Sequence, residues 1–147
     1  MASREQVLSE AGYRCAVPHC RALSSLDVHP IDEADNLVCL CATCADRYRR
    51  DGVPSEQVMT VYKIRLQEMS RALDRDSIDL LFYLTKLEWL AVSGDKVSEV
   101  APLLNAGYLY ADYKSAQGQA TATPQYRLRL TNKGRQFLDA WQNGEMD

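Results

Sequence analysis

Cys15-Ala16-Val17-Pro18-His19-Cys20 and Cys41-Ala42-Thr43-Cys44 are the two stretches that decide the reading of this chain. Each places a pair of thiols on one short turn. One tight turn can present two side chains to one ion, so two such turns make a tetrahedral set of four sulfurs, the ligand set of a structural zinc site. The spacing therefore predicts Zn²⁺ on Cys15, Cys20, Cys41 and Cys44. A fifth cysteine, Cys39, sits in a strand-like apolar run and reads as a small buried hydrophobe. His19, beside Cys20, is either a competing ligand or an exposed residue of the turn. A unit of roughly 75 residues has a thin core, so bound metal would supply much of its folding free energy.

Working outward, Ser3 is placed to cap a helix through about Ala11, which Gly12 stops. Residues 21–40 read as a β-hairpin: Ala22-Leu23, a Ser24-Ser25 turn, then Leu26-Asp27-Val28-His29. A loop over 32–35 follows, and Asn36-Leu37-Val38-Cys39-Leu40 is an apolar run entering the second cysteine turn. A short helix starts at Ala45, and Asp51-Gly52-Val53-Pro54 breaks it. Ser55 caps a longer helix to about Leu73, with Val58, Tyr62, Leu66 and Met69 on one face. The polar Asp74-Arg75-Asp76 marks a boundary between an N-terminal domain, 1–74, and a C-terminal domain, 75–147.

In the second half, Ser77 is expected to cap a helix whose leucines, from Leu80 to Leu90, recur at three- and four-residue spacing until Gly94 ends it. A single helix fits 96–106. Tyr108–Tyr113 and Tyr126–Leu130 read as paired strands around a loop at 114–124, and Thr131 caps a last helix. The cations Lys114, Arg127, Arg129, Lys133 and Arg135 fall on this strand pair and its exit. Arg127 and Arg129 alternate with Leu128, so they share the solvent face of a strand. That stripe suits phosphate contacts, and it equally suits a solvated face. Tyr108, Tyr110, Tyr113 and Tyr126 are expected to pack on the small sheet, and Trp89 and Trp141 to be core or interface residues.

The 147 residues carry 17 Lys/Arg against 20 Asp/Glu, a net charge of −3. No run of like charge builds a basic face by itself. The start, Met1-Ala2-Ser3-Arg4-Glu5, leads into an amphipathic stretch, not the apolar core of a signal peptide. No segment has the ~18–20 apolar residues of a membrane span. Five cysteines, four of them in paired turns, argue for metal ligation in a reducing compartment, so the cytoplasm is the expected location.

Residues 4–68 resemble the HNH (treble-clef) endonuclease module. The resemblance rests on Arg4, Val7-Leu8, Gly12-Tyr13-Arg14-Cys15, Cys20, Val28-His29-Pro30-Ile31, Asn36-Leu37-Val38, Leu40-Cys41-Ala42-Thr43-Cys44 and the helix that follows. It implies an α+β chain with a treble-clef ββα zinc module and flanking helices. The family's chemistry needs a general-base histidine, a metal-binding Asp or His just before it, and a histidine just after the second cysteine turn or four residues on. On this sequence those positions fall on His29 (metal), Pro30 (base), and Ala45 or Arg49. Asn36 matches the Asn that helps hold the loop. Proline cannot take a proton from water, and an arginine is no metal ligand. No catalytic residue is therefore expected, with His29 the one that would carry activity were the chain an active metal-dependent endonuclease.

Residues 77–143 resemble a winged-helix domain, on Leu103-Leu104-Asn105-Ala106-Gly107-Tyr108-Leu109 and on Tyr126 through Arg135. One helix between Val92 and Gly107 leaves that pattern short of the second helix of a helix-turn-helix. Together the resemblances imply a non-catalytic zinc-binding adaptor or accessory subunit, of the kind found in bacterial defence or mobile-element systems. It would bind nucleic acid, a partner protein, or both. The alternatives are an active endonuclease and a winged-helix transcriptional regulator.

Overall fold

The computed structural model describes residues 3–32, 35–113 and 124–146. In chain order the elements are α1 (Arg4–Glu10), β1 (Leu26–Pro30), β2 (Leu37–Cys41), α2 (Ala42–Asp51), α3 (Glu56–Ala72) and α4 (Arg75–Leu84). They continue with β3 (Leu90–Ser93), α5 (Gly94–Glu99), α6 (Ala101–Asn105), β4 (Leu109–Tyr113), β5 (Gln125–Leu130) and α7 (Asn132–Gln142). The chain is thus mixed α and β, as expected. No helix among the described residues is long and apolar enough to cross a membrane.

Two compact units result. One comprises the chain up to Ile78 together with Asp139 onward, the other Asp79–Leu138, so the division falls within α4 and within α7.

In the first unit the Ser3 side chain accepts from the Gln6 backbone N–H, capping α1 as its position predicts. Ser55 does the same for α3 by accepting from Val58, and Leu73 is the C-cap of α3. The hairpin differs from expectation. Ala22-Leu23 forms no strand; β1 pairs antiparallel with β2, with Leu26 opposite Cys41 and Pro30 opposite Leu37. The physical reason is burial. Val38, Cys39 and Leu40 are almost wholly buried, so the apolar run forms the core-facing strand of this two-stranded sheet. The loop joining the strands closes where Ile31 N–H donates to Asn36 O at 2.8 Å. Part of the loop expected at 32–35 lies outside the described residues. The core gathers Val7 and Leu8 of α1, Val38 and Leu40 of β2, and Met59, Tyr62, Leu66 and Met69 of α3. From the chain's later segment, Gln142 O accepts from the Tyr62 hydroxyl at 2.8 Å.

The second unit holds a three-stranded antiparallel sheet in the order β3-β5-β4. Leu90 lies opposite Leu128, and Leu109 opposite Leu130. Sequence reasoning misses β3, because Leu90-Ala91-Val92 continues the leucine spacing of α4. The helix stops at Leu84, where Thr85 and Lys86 turn back on Phe82 and Tyr83. The start of α4 is held by Asp74, whose carboxylate accepts from Ser77 N–H at 2.7 Å, so Asp74 is the capping residue and Ser77 is not. The region 96–106 is two short helices, α5 and α6, separated at Val100. Pro102 cannot continue an upstream helix but fits the first turn of a new one. Thr131 caps α7 as expected, its hydroxyl accepting from Gly134 N–H at 3.0 Å. The expected loop over 114–124 lies outside the described residues except for Pro124.

Candidate metal centre

The first cysteine turn is shaped by backbone hydrogen bonds. Cys15 N–H donates to Ala22 O and Ala16 N–H to Cys39 O, both at 2.9 Å, so the turn is tied across its own neck and to β2. Cys20 N–H donates to Val17 O at 3.0 Å. Arg21 then takes a left-handed conformation, with φ of 51°. The second turn is not a free knuckle ahead of a helix, as the start at Ala45 implied. It is the first turn of α2. Cys41 is the N-cap, and its Sγ accepts from the Cys44 backbone N–H at 3.5 Å. A thiolate is favoured there by the unpaired N–H groups and the positive end of the helix.

These turns bring Cys15, Cys20, Cys41 and Cys44 together, with one sulfur from each within 4.8 Å of the others. Cys20 Sγ and Cys41 Sγ are 3.8 Å apart. Cys15 and Cys41 are buried, Cys44 is partly buried and Cys20 is exposed. The four are positioned to coordinate a metal ion, and they are the only such group among the described residues. Burial pushes the Cys15 thiol up to about 12, and it pushes Cys44 well above the ordinary thiol value. At Cys41 burial acts the same way, but hydrogen bonds from Cys44 and the neighbouring thiols outweigh it and the net shift is downward. Thiols held close with little solvent resist ionising on their own, and a bound cation supplies the charge that reverses this.

Cys39 stays outside the group, buried, with burial holding its thiol up at about 11. His19 is exposed and outside it too. His19 instead lines a cleft of about 510 Å³ with Cys20, Cys44, Arg47, Val53 and Pro54.

His29 lines a second cleft, of about 380 Å³, with Pro30, Asp32, Ala45, Tyr48, Arg49 and Glu56. Burial lowers the His29 imidazole below its usual value, the Arg49 guanidinium lowers it further, and Asp27 partly opposes both. The Tyr48 hydroxyl donates to Ile31 O at 2.8 Å and fixes the strand end beside this cleft. Asn36 is fixed from α3, where Lys63 Nζ donates to its Oδ1 at 2.9 Å.

The expected nucleic-acid contacts in the second unit divide. Arg127 and Arg129 lie on β5, on the face away from buried Leu128 and Leu130. The Arg127 guanidinium sits 5.5 Å from the centroid of the Trp89 ring. Arg129 Nε lies 3.6 Å from an Asp112 carboxylate oxygen. Lys133 is occupied by Ala106 O at 2.9 Å, at the end of α6, and its Nζ is 5.5 Å from the Tyr108 ring. Arg135 is exposed on α7. Lys114 lies outside the described residues. Of the tyrosines, Tyr108 stacks on Phe137 at 4.7 Å, and Tyr113 meets Tyr126 edge-on at 5.5 Å. Tyr110 does not pack inward: it is 40% exposed.

Comparison of the chain with protein-family models, with curated proteins and with solved structures finds no match in any of the three.

Proposed function

We propose that this chain is a zinc-stabilised, non-catalytic adaptor, built from an HNH-like treble-clef module and a winged-helix-like module, that binds nucleic acid or a partner protein. The observation that carries the reading is the contrast between the two clefts of the first unit. One is lined by Cys20, Cys41 and Cys44, three of the four cysteines whose sulfurs lie together. Four thiolates at ~2.3 Å from a tetrahedral zinc lie about 3.8 Å from one another, the separation of Cys20 and Cys41. Softness of the donors favours zinc over magnesium or calcium. With all four positions taken by protein, such a centre keeps none open for water and holds structure only.

The other cleft is where the family resemblance puts hydrolytic chemistry. It offers one imidazole, His29, with Pro30, Ala45 and Arg49 at the remaining family positions. A guanidinium repels the divalent cation that phosphodiester hydrolysis uses, and nothing at Pro30 can accept a proton. Arg127 and Arg129 on β5 support a nucleic-acid contact for the second unit, because adjacent guanidinium groups on one strand face suit phosphates.

One observation favours a second reading, the winged-helix regulator. α5 and α6 are two helices where the sequence suggests one, which restores the helix pair of a helix-turn-helix. Against it, α6 is Ala-Pro-Leu-Leu-Asn and carries no cation. Mobility shift with the chain's own upstream DNA separates the two: tighter binding than to random DNA assigns the regulator. The adaptor reading itself is tested by incubating the purified chain with plasmid and single-stranded DNA plus Mg²⁺, Mn²⁺ or Ni²⁺. No cleavage is expected. Cleavage that vanishes in His29→Ala assigns the endonuclease instead.

A further inference from the structure

The outer face of the second unit's sheet is built unlike a plain solvated surface. Strand alternation fixes its members. Leu128 and Leu130 of β5, with Leu109 of β4, point into the core, so Arg127, Arg129, Tyr110 and Asp112 point the other way. The same alternation puts Ala91 of β3 there and, one step before the strand, Trp89. The register sets Tyr110 opposite Arg129, and it sets both Ala91 and Asp112 opposite Arg127. The result is a central row of two arginines with an aromatic ring on each side. Ala91 is exposed and small, so the middle of the face stays low.

The charges are uneven in a useful way. Asp112 offsets Arg129 at 3.6 Å, and Arg127 has no carboxylate within ion-pair distance among the described residues. Its partner is the face of Trp89 at 5.5 Å, an arrangement that keeps the guanidinium flat and its charge unneutralised. Two arginines two residues apart on a strand stand about 6.7 Å from one another, a spacing that suits successive phosphates of a strand whose bases are not stacked on each other. The flanking rings then offer bases a surface to stack on, which a duplex, with its bases already stacked inside, cannot use.

We infer that the outer face of the β3-β5-β4 sheet binds single-stranded nucleic acid, with Arg127 and Arg129 on phosphates and Tyr110 and Trp89 against bases. This rests on the nucleic-acid contact in the proposed function and names its substrate class. It does not use the short helices α5 and α6.

The test uses the full chain as purified, with labelled oligo(dT) and a mixed-sequence duplex, followed by anisotropy and by tryptophan emission. Trp141 is fully buried, so quenching on binding reports Trp89. Oligo(dT) is expected to bind about tenfold more tightly than duplex and to quench emission, and Trp89→Phe to abolish the quenching. Tyr110→Ala, an exposed position that threatens no core, is expected to weaken binding about tenfold. Arg127→Gln is expected to shrink the slope of log affinity against log salt by about 0.7. Duplex bound as tightly as oligo(dT), with Tyr110→Ala unchanged, overturns the inference and leaves the nucleic-acid contact standing. Binding of neither overturns both. A polyglutamate peptide bound more tightly than oligo(dT), with Tyr110→Ala unchanged, assigns the face to an acidic protein surface and overturns the inference as well.

Discussion

Cys20 Sγ lies 3.8 Å from Cys41 Sγ, although the two residues belong to different turns and are 21 positions apart. That distance is far beyond a disulfide and matches one edge of a thiolate tetrahedron. The two sulfurs join the first turn to the N-terminus of α2, and the proposal that metal holds the first unit follows from it. Removing one partner should therefore act on folding before it acts on anything else. Cys41→Ser is expected to abolish metal binding and the protease resistance of residues up to Ile78, as limited proteolysis with mass mapping would show. An unchanged digest in the variant would mean that the apolar core alone suffices.

The His29 imidazole gives a pH dependence with a definite sign. Its ionisation is lowered in the folded chain, chiefly by burial and then by Arg49. The unfolded chain, near 6.5, takes up a proton more readily, so this group costs stability as pH falls through 6.5 toward the folded value and contributes nothing above it. His29→Gln is expected to lose less stability than the parent between about pH 7.5 and 5.5, measured by urea unfolding at each pH. Parallel losses in both proteins would contradict the assignment.

Tyr48 ties α2 to the end of β1 through its hydrogen bond to Ile31 O at 2.8 Å. Tyr48→Phe keeps the ring and removes the donor, so a loss of about 1 kcal/mol is expected. Urea denaturation would check it, and the cysteine centre should bind metal as before.

Gly134 sits in the first turn of α7, directly against the Tyr108 carbonyl. A Cβ built on it would overlap that oxygen and crowd the Tyr108 backbone. The neighbour is backbone, so no rotamer change can relieve the overlap. Gly134→Ala is expected to cost about 2–3 kcal/mol. Gly52→Ala provides the comparison: φ is +62° but nothing lies within 4 Å, so backbone strain is its main cost, about 1 kcal/mol.

The cysteine set was legible in the sequence because two closely spaced pairs of thiols suit one ion, and the structure brings those four together. The caps at Ser3, Ser55 and Thr131 were legible because a hydroxyl before an amphipathic run has one obvious role. The hairpin partner was not: Ala22-Leu23 and Leu37–Cys41 are both short apolar runs, and only burial of β2 against α1 and α3 chooses between them. Strand β3 was hidden because Leu84, Leu87 and Leu90 keep helical spacing across a chain that has already turned at Thr85. The split of α5 from α6 shows only as Pro102, a residue compatible with either a first turn or a kink. Tyr110 reads as a packing residue because sequence alone does not say which face of the small sheet the helices will cover.

The proposed role of the first unit depends on metal at the four cysteines. Elemental analysis of the full chain, purified without added chelator, reads it directly. About one zinc per chain is predicted, lost in a Cys20→Ser/Cys41→Ser double variant. A chain without metal, or a double variant that keeps the same zinc content, would contradict it.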